Sequence, residues 1–273
     1  MVMSMKKLLV LLLLVNFISI PVFSAECDTA SKFVRVTTNA VGYNFIAKKI
    51  AQSAVKRVLN KNAKGEYKVS IDSFSGVDLK KGKFRGAKIY GENISVDDEL
   101  FISTLKMQTL SDFNYIKYNK KPIVFVTDIP MSYEMTITED DLNKTLASNK
   151  MLKLFTEGVP LVSVDKVKTR LVKDKITFYS KIRLPFCKPM KLTVSSGVKV
   201  VDGKIVFDNI DTSGVTSALA DKVLEYMNSH NLLTSINLYV FDNATTQLEI
   251  HNIKIDDGRL YINGKVTLNK VQK

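Results

Sequence analysis

Val198-Lys199-Val200-Val201-Asp202-Gly203-Lys204-Ile205-Val206-Phe207 decides the fold class. Asp-Gly is a strong signal for a two-residue β-hairpin loop, because both loop positions need positive φ. A loop at Asp202-Gly203 sets Val200 opposite Ile205 and Val198 opposite Phe207, and leaves Lys199 on the other face. A loop at Asp257-Gly258 sets Ile255 opposite Leu260 and Ile253 opposite Ile262. A third loop is expected at Asp174-Lys175, with weaker turn chemistry, pairing Leu171 with Phe178 and Val167 with Ile182. In each ribbon apolar residues meet apolar residues, and a slip of one residue would turn them to the wrong face.

The ribbons are long. Ile176, Phe178, Ile182 and Leu184 alternate with polar residues, as do Leu192, Val194, Val198 and Val200. Strands of about 9–11 residues exceed the usual length and reach roughly 30 Å. One apolar and one polar face per strand imply antiparallel pairing, with one side wet and the other covered. Leu248 and Ile250 run out of phase with Ile253 and Ile255, which puts a β-bulge at His251.

Three helices accompany the strands. Val41–Leu59 reads as an amphipathic helix with Ile46, Ile50, Ala54 and Val58 four apart, Ala47 and Ala51 beside them, Lys48, Lys49, Lys56 and Arg57 largely elsewhere on the turn, and Asn39 as N-cap. Thr138-Glu139-Asp140-Asp141 resembles a capping box, with Ile137 and Leu142 as the hydrophobic staple, and predicts a short helix to about Ser148. A third starts near Ser213 or Thr216 and ends near Asn231. Asp97 to Ser111 fits strand or helix equally. The fold class is therefore α+β: a long, curved antiparallel sheet or incomplete barrel wrapped around the N-terminal helix, with two further helices.

Lys6 and Lys7 precede an apolar run from Leu8 to Ile20, closed by Pro21 and a small-residue site after Ser24. This is the layout of a secretory signal peptide over residues 1–24, with an uncleaved anchor as the alternative. Residues 25–273 show no low-complexity linker and read as a single elongated domain. The chain carries a formal charge of +13, spread without a basic block. Such a charge suits an anionic membrane or nucleic acid, and export speaks against nucleic acid. The two cysteines, Cys27 and Cys187, can pair in an oxidising compartment or remain free thiols. They make no zinc pattern with His230 and His251.

No nucleophile elbow and no phosphate-binding glycine loop occurs. Capping explains Glu139-Asp140-Asp141 better than catalysis does. No catalytic residue, metal site or cofactor is expected, and the chain reads as a non-enzyme.

The order of features carries a resemblance. Gly76-Val77-Asp78-Leu79-Lys80-Lys81-Gly82-Lys83-Phe84 follows the first helix. Ile137-Thr138-Glu139-Asp140-Asp141-Leu142-Asn143 follows, then Ile236-Asn237-Leu238. The chain closes on Asp257-Gly258-Arg259-Leu260-Tyr261-Ile262-Asn263-Gly264-Lys265-Val266. Over most of residues 40–270 this resembles the LmeA-type phospholipid-binding family of bacterial envelope proteins; Leu238 follows Asn237 directly where the family carries a proline. The resemblance implies a tubular lipid-binding-like architecture and phospholipid binding in envelope maintenance.

The expectation is a periplasmic or otherwise extracytoplasmic protein that binds phospholipid or another acyl lipid, and possible lipid transfer. An acyl chain would lie between the N-terminal helix and the apolar sheet face, lined by Ile46, Ile50, Phe178, Ile182, Val198, Phe207 and Ile262. Lys48, Lys49 and Arg57 would meet anionic head groups or a membrane surface. Each apolar residue equally fits a dry core, and each basic one a solvated face. A structural or adhesion β-module with a protein partner is the rival reading.

Overall fold

Two of the three hairpins form at the expected residues. The computed structural model describes residues 29–40, 42–118, 124–148, 163–183, 188–214 and 246–270. Asp202 and Gly203 take φ of +52° and +71°, and Asp257 and Gly258 take +42° and +72°. Val200 faces Ile205 and Val198 faces Phe207, while Ile255 faces Leu260 and Ile253 faces Ile262. The third hairpin turns at Lys173-Asp174 instead, so Leu171 faces Ile176 and Val167 faces Ser180. Asp174 supplies the left-handed residue, at φ +61°. Its N–H donates to the Ile255 carbonyl at 3.1 Å, which holds the loop from outside. The slip is two residues, so the apolar set keeps its face and Leu171 and Ile176 are both buried.

The chain begins with helices α1 (Lys32–Ala40) and α2 (Tyr43–Asn62), then strand β1 (Lys64–Asp72) and the short helix α3 (Gly76–Lys80). Strands β2 (Lys83–Phe84), β3 (Gly86–Val96), β4 (Leu100–Thr109), β5 (Asn114–Lys117), β6 (Val124–Phe125) and β7 (Ile129–Thr138) lead to helix α4 (Glu139–Leu146). Strands β8 (Ser163–Val172), β9 (Lys175–Arg183), β10 (Met190–Val201), β11 (Lys204–Ser213), β12 (Thr246–Asp256) and β13 (Arg259–Leu268) follow. The ambiguous stretch after Asp97 is thus a strand. Its acidic start is the β3–β4 turn: Asp97 and Asp98 sit at φ +51° and +56°. The Lys64 ammonium, 2.8 Å away, holds the Asp98 carboxyl below its ordinary range.

The architecture is α+β with several antiparallel sheets. A six-stranded sheet has the order β1-β3-β4-β7-β13-β12, a four-stranded sheet β11-β10-β9-β8, and a small one β2-β5-β6. The single sheet curved around a helix does not form: among the described residues no barrel closes and no sheet curls. The reason is edge occupancy. Both sides of β7 are taken, by β4 and β13, so β8 finds no edge there and starts a new sheet. The turns of that sheet close on the outer edge of β12, through Asp174 N–H to Ile255 O and Ile250 N–H to Gly203 O at 3.3 Å. Buried residues of both larger sheets form one continuous core, in which Phe178 meets Phe207 edge-on at 5.9 Å.

Helix α4 joins the two larger sheets. Thr138 is its N-cap, with Oγ1 accepting from the Asp141 N–H at 3.2 Å and donating to Asp141 Oδ2 at 2.6 Å. Ile137 and Leu142 are both buried, as a staple requires. The helix ends at Leu146, two residues early. Thr145 Oγ1 accepts from the Phe101 N–H of β4 at 3.0 Å. On the other side Glu139 Oε2 accepts from the Leu171 N–H at 2.8 Å. The Asn143 amide accepts from the Thr169 N–H at 2.6 Å and donates to its carbonyl at 3.2 Å, as a neighbouring strand would. The helix expected near 216–231, His230, Cys27, Cys187, the leader and Ile236-Asn237-Leu238 lie outside the described residues.

The β-bulge falls at His251, where the pairing of β12 with β13 shifts between Ile250 and Asn252. Facing it, Gly264 pairs with Tyr133, whose ring covers the missing side chain. Burial pushes the Tyr133 phenol up to about 12. In the unfolded chain the phenol ionises near pH 10. The folded state therefore holds more protons above that pH, and stability is present below pH 10 and lost as pH rises toward 12. Alkaline titration of the unfolding midpoint is expected to show this decline, and Tyr133→Phe to flatten it; an unchanged slope in the variant would refute the assignment.

Candidate functional site

Residues 29–65 contain eight Lys or Arg and no Asp or Glu. They build α1, α2 and the entry to β1. Gly42, at φ +71°, caps α2 and separates it from α1. Asn39, the expected cap, lies inside α1.

Two apolar rows run along α2. Ala47, Ala51, Val55 and Leu59 face inward and pack on the core, with β1 and α3 as the main neighbours. The row expected to do this, Ile46, Ile50 and Val58, faces outward instead: Ile46 is 46 % and Ile50 60 % exposed. Small side chains let a helix approach a strand closely, and the bulkier row is left on the free side. Phe45 on α2 and Phe33 and Val36 on α1 are exposed beside it. Lys32, Lys49, Lys56, Arg57 and Lys61 are exposed around them and Lys48 is half-buried. The Lys49 ammonium lies 5.5 Å from the centre of the Phe45 ring. In α1 the Thr37 and Thr38 hydroxyls donate back to the Phe33 and Val34 carbonyls at 3.1 and 2.7 Å, which leaves fewer free polar groups on that surface.

The remaining candidate lining residues sit elsewhere. Phe178, Ile182, Phe207 and Ile262 are buried in the core and Val198 packs against it. Ile46 and Ile50 do not meet them. Sequence periodicity found Ile46, Ile50, Lys48, Lys49 and Arg57 but centred the inward stripe on the isoleucines, where the neighbouring Ala47 and Ala51 are the residues that pack on the core. It missed Phe33, Val36 and Phe45. The acid-free run from 29 to 65 was the signal that marks the whole surface.

A buried carboxylate anchors the surface to the domain. Asp78, fully buried in α3, accepts from the Ala30 N–H at 2.6 Å and from Ser75 Oγ at 2.6 Å. Arg35 Nε stands 3.7 Å from Oδ2, the oxygen that Ser75 also meets. The Gly76 N–H donates to the Asn44 side-chain oxygen. The Arg35 and Arg85 guanidiniums both lie over the Phe74 ring, at 5.5 and 5.1 Å. No described helix is long and apolar enough to cross a membrane. Comparison of the chain with protein-family models, with curated proteins and with solved structures returned no match.

Proposed function

We propose that the protein is an extracytoplasmic, non-catalytic lipid-binding protein that lies on an anionic phospholipid surface through α1 and α2. The observation that carries this reading is the outward face of these helices, where exposed Phe33, Val36, Phe45, Ile46 and Ile50 stand among cations with no acidic residue in either helix. Helices with an apolar stripe and flanking Lys or Arg lie in the plane of the interface and bury that stripe at the head-group boundary. Each cation near an anionic surface contributes about 1 kcal/mol, and each buried methylene about 0.8 kcal/mol. Neither contribution is large alone, so the two together give reversible attachment.

Lipid is thereby met outside the helices. The alternative, an acyl chain held between α2 and the sheet, requires Ile46 and Ile50 to turn inward.

The test is flotation with vesicles of neutral phospholipid, with and without phosphatidylglycerol. Binding is expected to need the anionic lipid and to weaken as salt shortens the screening length. Lys49→Glu with Arg57→Glu is expected to weaken it by more than about tenfold, and Ile46→Ser with Ile50→Ser by a similar factor. Parent and variants share one N-terminus, so any contribution of a leader cancels. Unchanged binding in both double variants would overturn the proposal.

A further inference from the structure

The side of the six-stranded sheet away from the core carries two adjacent cross-strand rows of polar residues. One runs through Lys68, Tyr90, Lys106 and Glu134, the other through Ser70, Lys88, Gln108 and Ser132. The row between them, Val69, Ile89, Met107 and Tyr133, turns toward the core. The two polar rows frame an open trough of about 610 Å³, bounded at its far end by His251 and Asn263. A second concavity of about 620 Å³ shares Ser70, Lys88 and Gln108 with it and continues past Arg85, but Asp72 and Asp112 also line it, so the cationic part is the first trough alone.

Three lysines stand on three neighbouring strands, β1, β3 and β4: Lys68 and Lys106 flank Tyr90 in one row, and Lys88 lies diagonally from both in the other, at about 7–8 Å for such diagonal neighbours. No two of them are directly opposed, so the sheet tolerates them while their charges add over the trough. Lys106 meets Glu134 at 3.5 Å, but both are well exposed, at 63 % and 70 %, where such a pair contributes little. Lys88 has no ion-pair partner among the described residues. Lys68 lies 5.6 Å from the centre of the half-buried Tyr90 ring. Gln108, Ser132, Ser70 and Asn263 add amides and hydroxyls, and Val69, Ile89, Met107 and Tyr133 of the row between complete the lining.

This chemistry differs from that of the helical surface. No aliphatic side chain belongs to either polar row, and an open trough edged by lysines suits a charged chain better than an acyl chain, which gains only by apolar burial. One tyrosine is too few for a single-stranded nucleic acid, which needs successive aromatic platforms. A triangle of cations around an aromatic edge, with amides and hydroxyls beside it, suits a chain that is both charged and rich in hydroxyls. We propose that the trough binds an anionic polysaccharide, with its acidic groups on Lys68, Lys88 and Lys106 and its hydroxyls on the amides and serines beside them.

The test measures binding of the full-length chain to polygalacturonate fragments, phosphate-substituted dextran, plain dextran and polyglutamate. At least one charged glycan is expected to bind in a salt-sensitive manner and plain dextran to fail; which one binds tells carboxylate from phosphate recognition. Lys68→Glu with Lys88→Glu, and separately Lys68→Gln with Lys88→Gln, are expected to weaken that binding by at least about tenfold. Both sites are exposed, so circular dichroism should match the parent. Lys49→Glu with Arg57→Glu should leave glycan binding unchanged, and the trough variants should still float with vesicles, which keeps the two surfaces distinguishable. Absence of binding, glycan affinity indifferent to the trough variants, or polyglutamate bound as tightly as either glycan would overturn the proposal.

Discussion

Asp78→Ala is expected to destabilise the fold by about 2–4 kcal/mol, because it removes a fully buried carboxylate on which three donors converge. Three groups converge on this carboxylate: the Ala30 N–H, Ser75 Oγ and the Arg35 guanidinium. Arg35 Nε is buried and makes no hydrogen bond to the described residues, so Asp78 is the charge that offsets its desolvation. Alanine leaves all three unmet, and an unsatisfied buried donor carries the full desolvation penalty. The damage should be local before it is global. Urea unfolding would report the loss, and hydrogen exchange would show α1 opening first, since Ala30 and Arg35 are its tie to α3. Asp78→Asn keeps an acceptor for Ala30 and should cost less. An Asp78→Ala protein within about 0.5 kcal/mol of the parent, the range of ordinary surface substitutions, would show that the three donors find other partners.

Gly264→Ala is expected to cost about 2–4 kcal/mol, at or above the usual range for overpacking. A methyl group at this position would stand 2.0 Å from the Glu249 carbonyl oxygen and 2.8 Å from the Tyr133 hydroxyl. The carbonyl belongs to the backbone of the bulged strand and cannot step aside as a flexible side chain can. The β12–β13 pairing must open or the Tyr133 ring must leave. Thermal unfolding checks the first, and near-ultraviolet circular dichroism of the tyrosine checks the second. Gly258→Asn is the control. Gly258 sits at φ +72° with open space around it, and asparagine tolerates that conformation. It should shift stability by no more than about 0.5 kcal/mol.

How far the sequence could be read follows from how local each cause is. The hairpins at Asp202-Gly203 and Asp257-Gly258 were legible because their turn residues are the ones that accept positive φ. Lys173-Asp174-Lys175 offers only one such residue, and its loop is settled by a hydrogen bond from a strand some eighty residues away, which no local pattern contains. The division into two larger sheets was hidden for the same reason. It depends on β13 having already claimed the edge of β7. The capping box at Thr138 was legible as a helix start, but not the use of Glu139 and Asn143 to satisfy β8. On α2 the periodicity was real and the face was not determined. Ile46, Ile50 and Val58 share one row, Ala47, Ala51, Val55 and Leu59 another, and both rows are apolar. Hydrophobicity favours the first row for burial, while close approach to β1 selects the second. The isoleucines left outside are then the functional signal, which becomes visible once packing has chosen its side.

Helix α4 also acts as a stopper. An open strand edge recruits strands from other molecules. The edge of β8 presents the Thr169 and Leu171 amides on a ribbon whose apolar residues alternate, a good template for such growth. One eight-residue helix occupies those amides. At this edge the cover is two side chains, Glu139 and Asn143, and their loss is expected to surface first as loss of solubility.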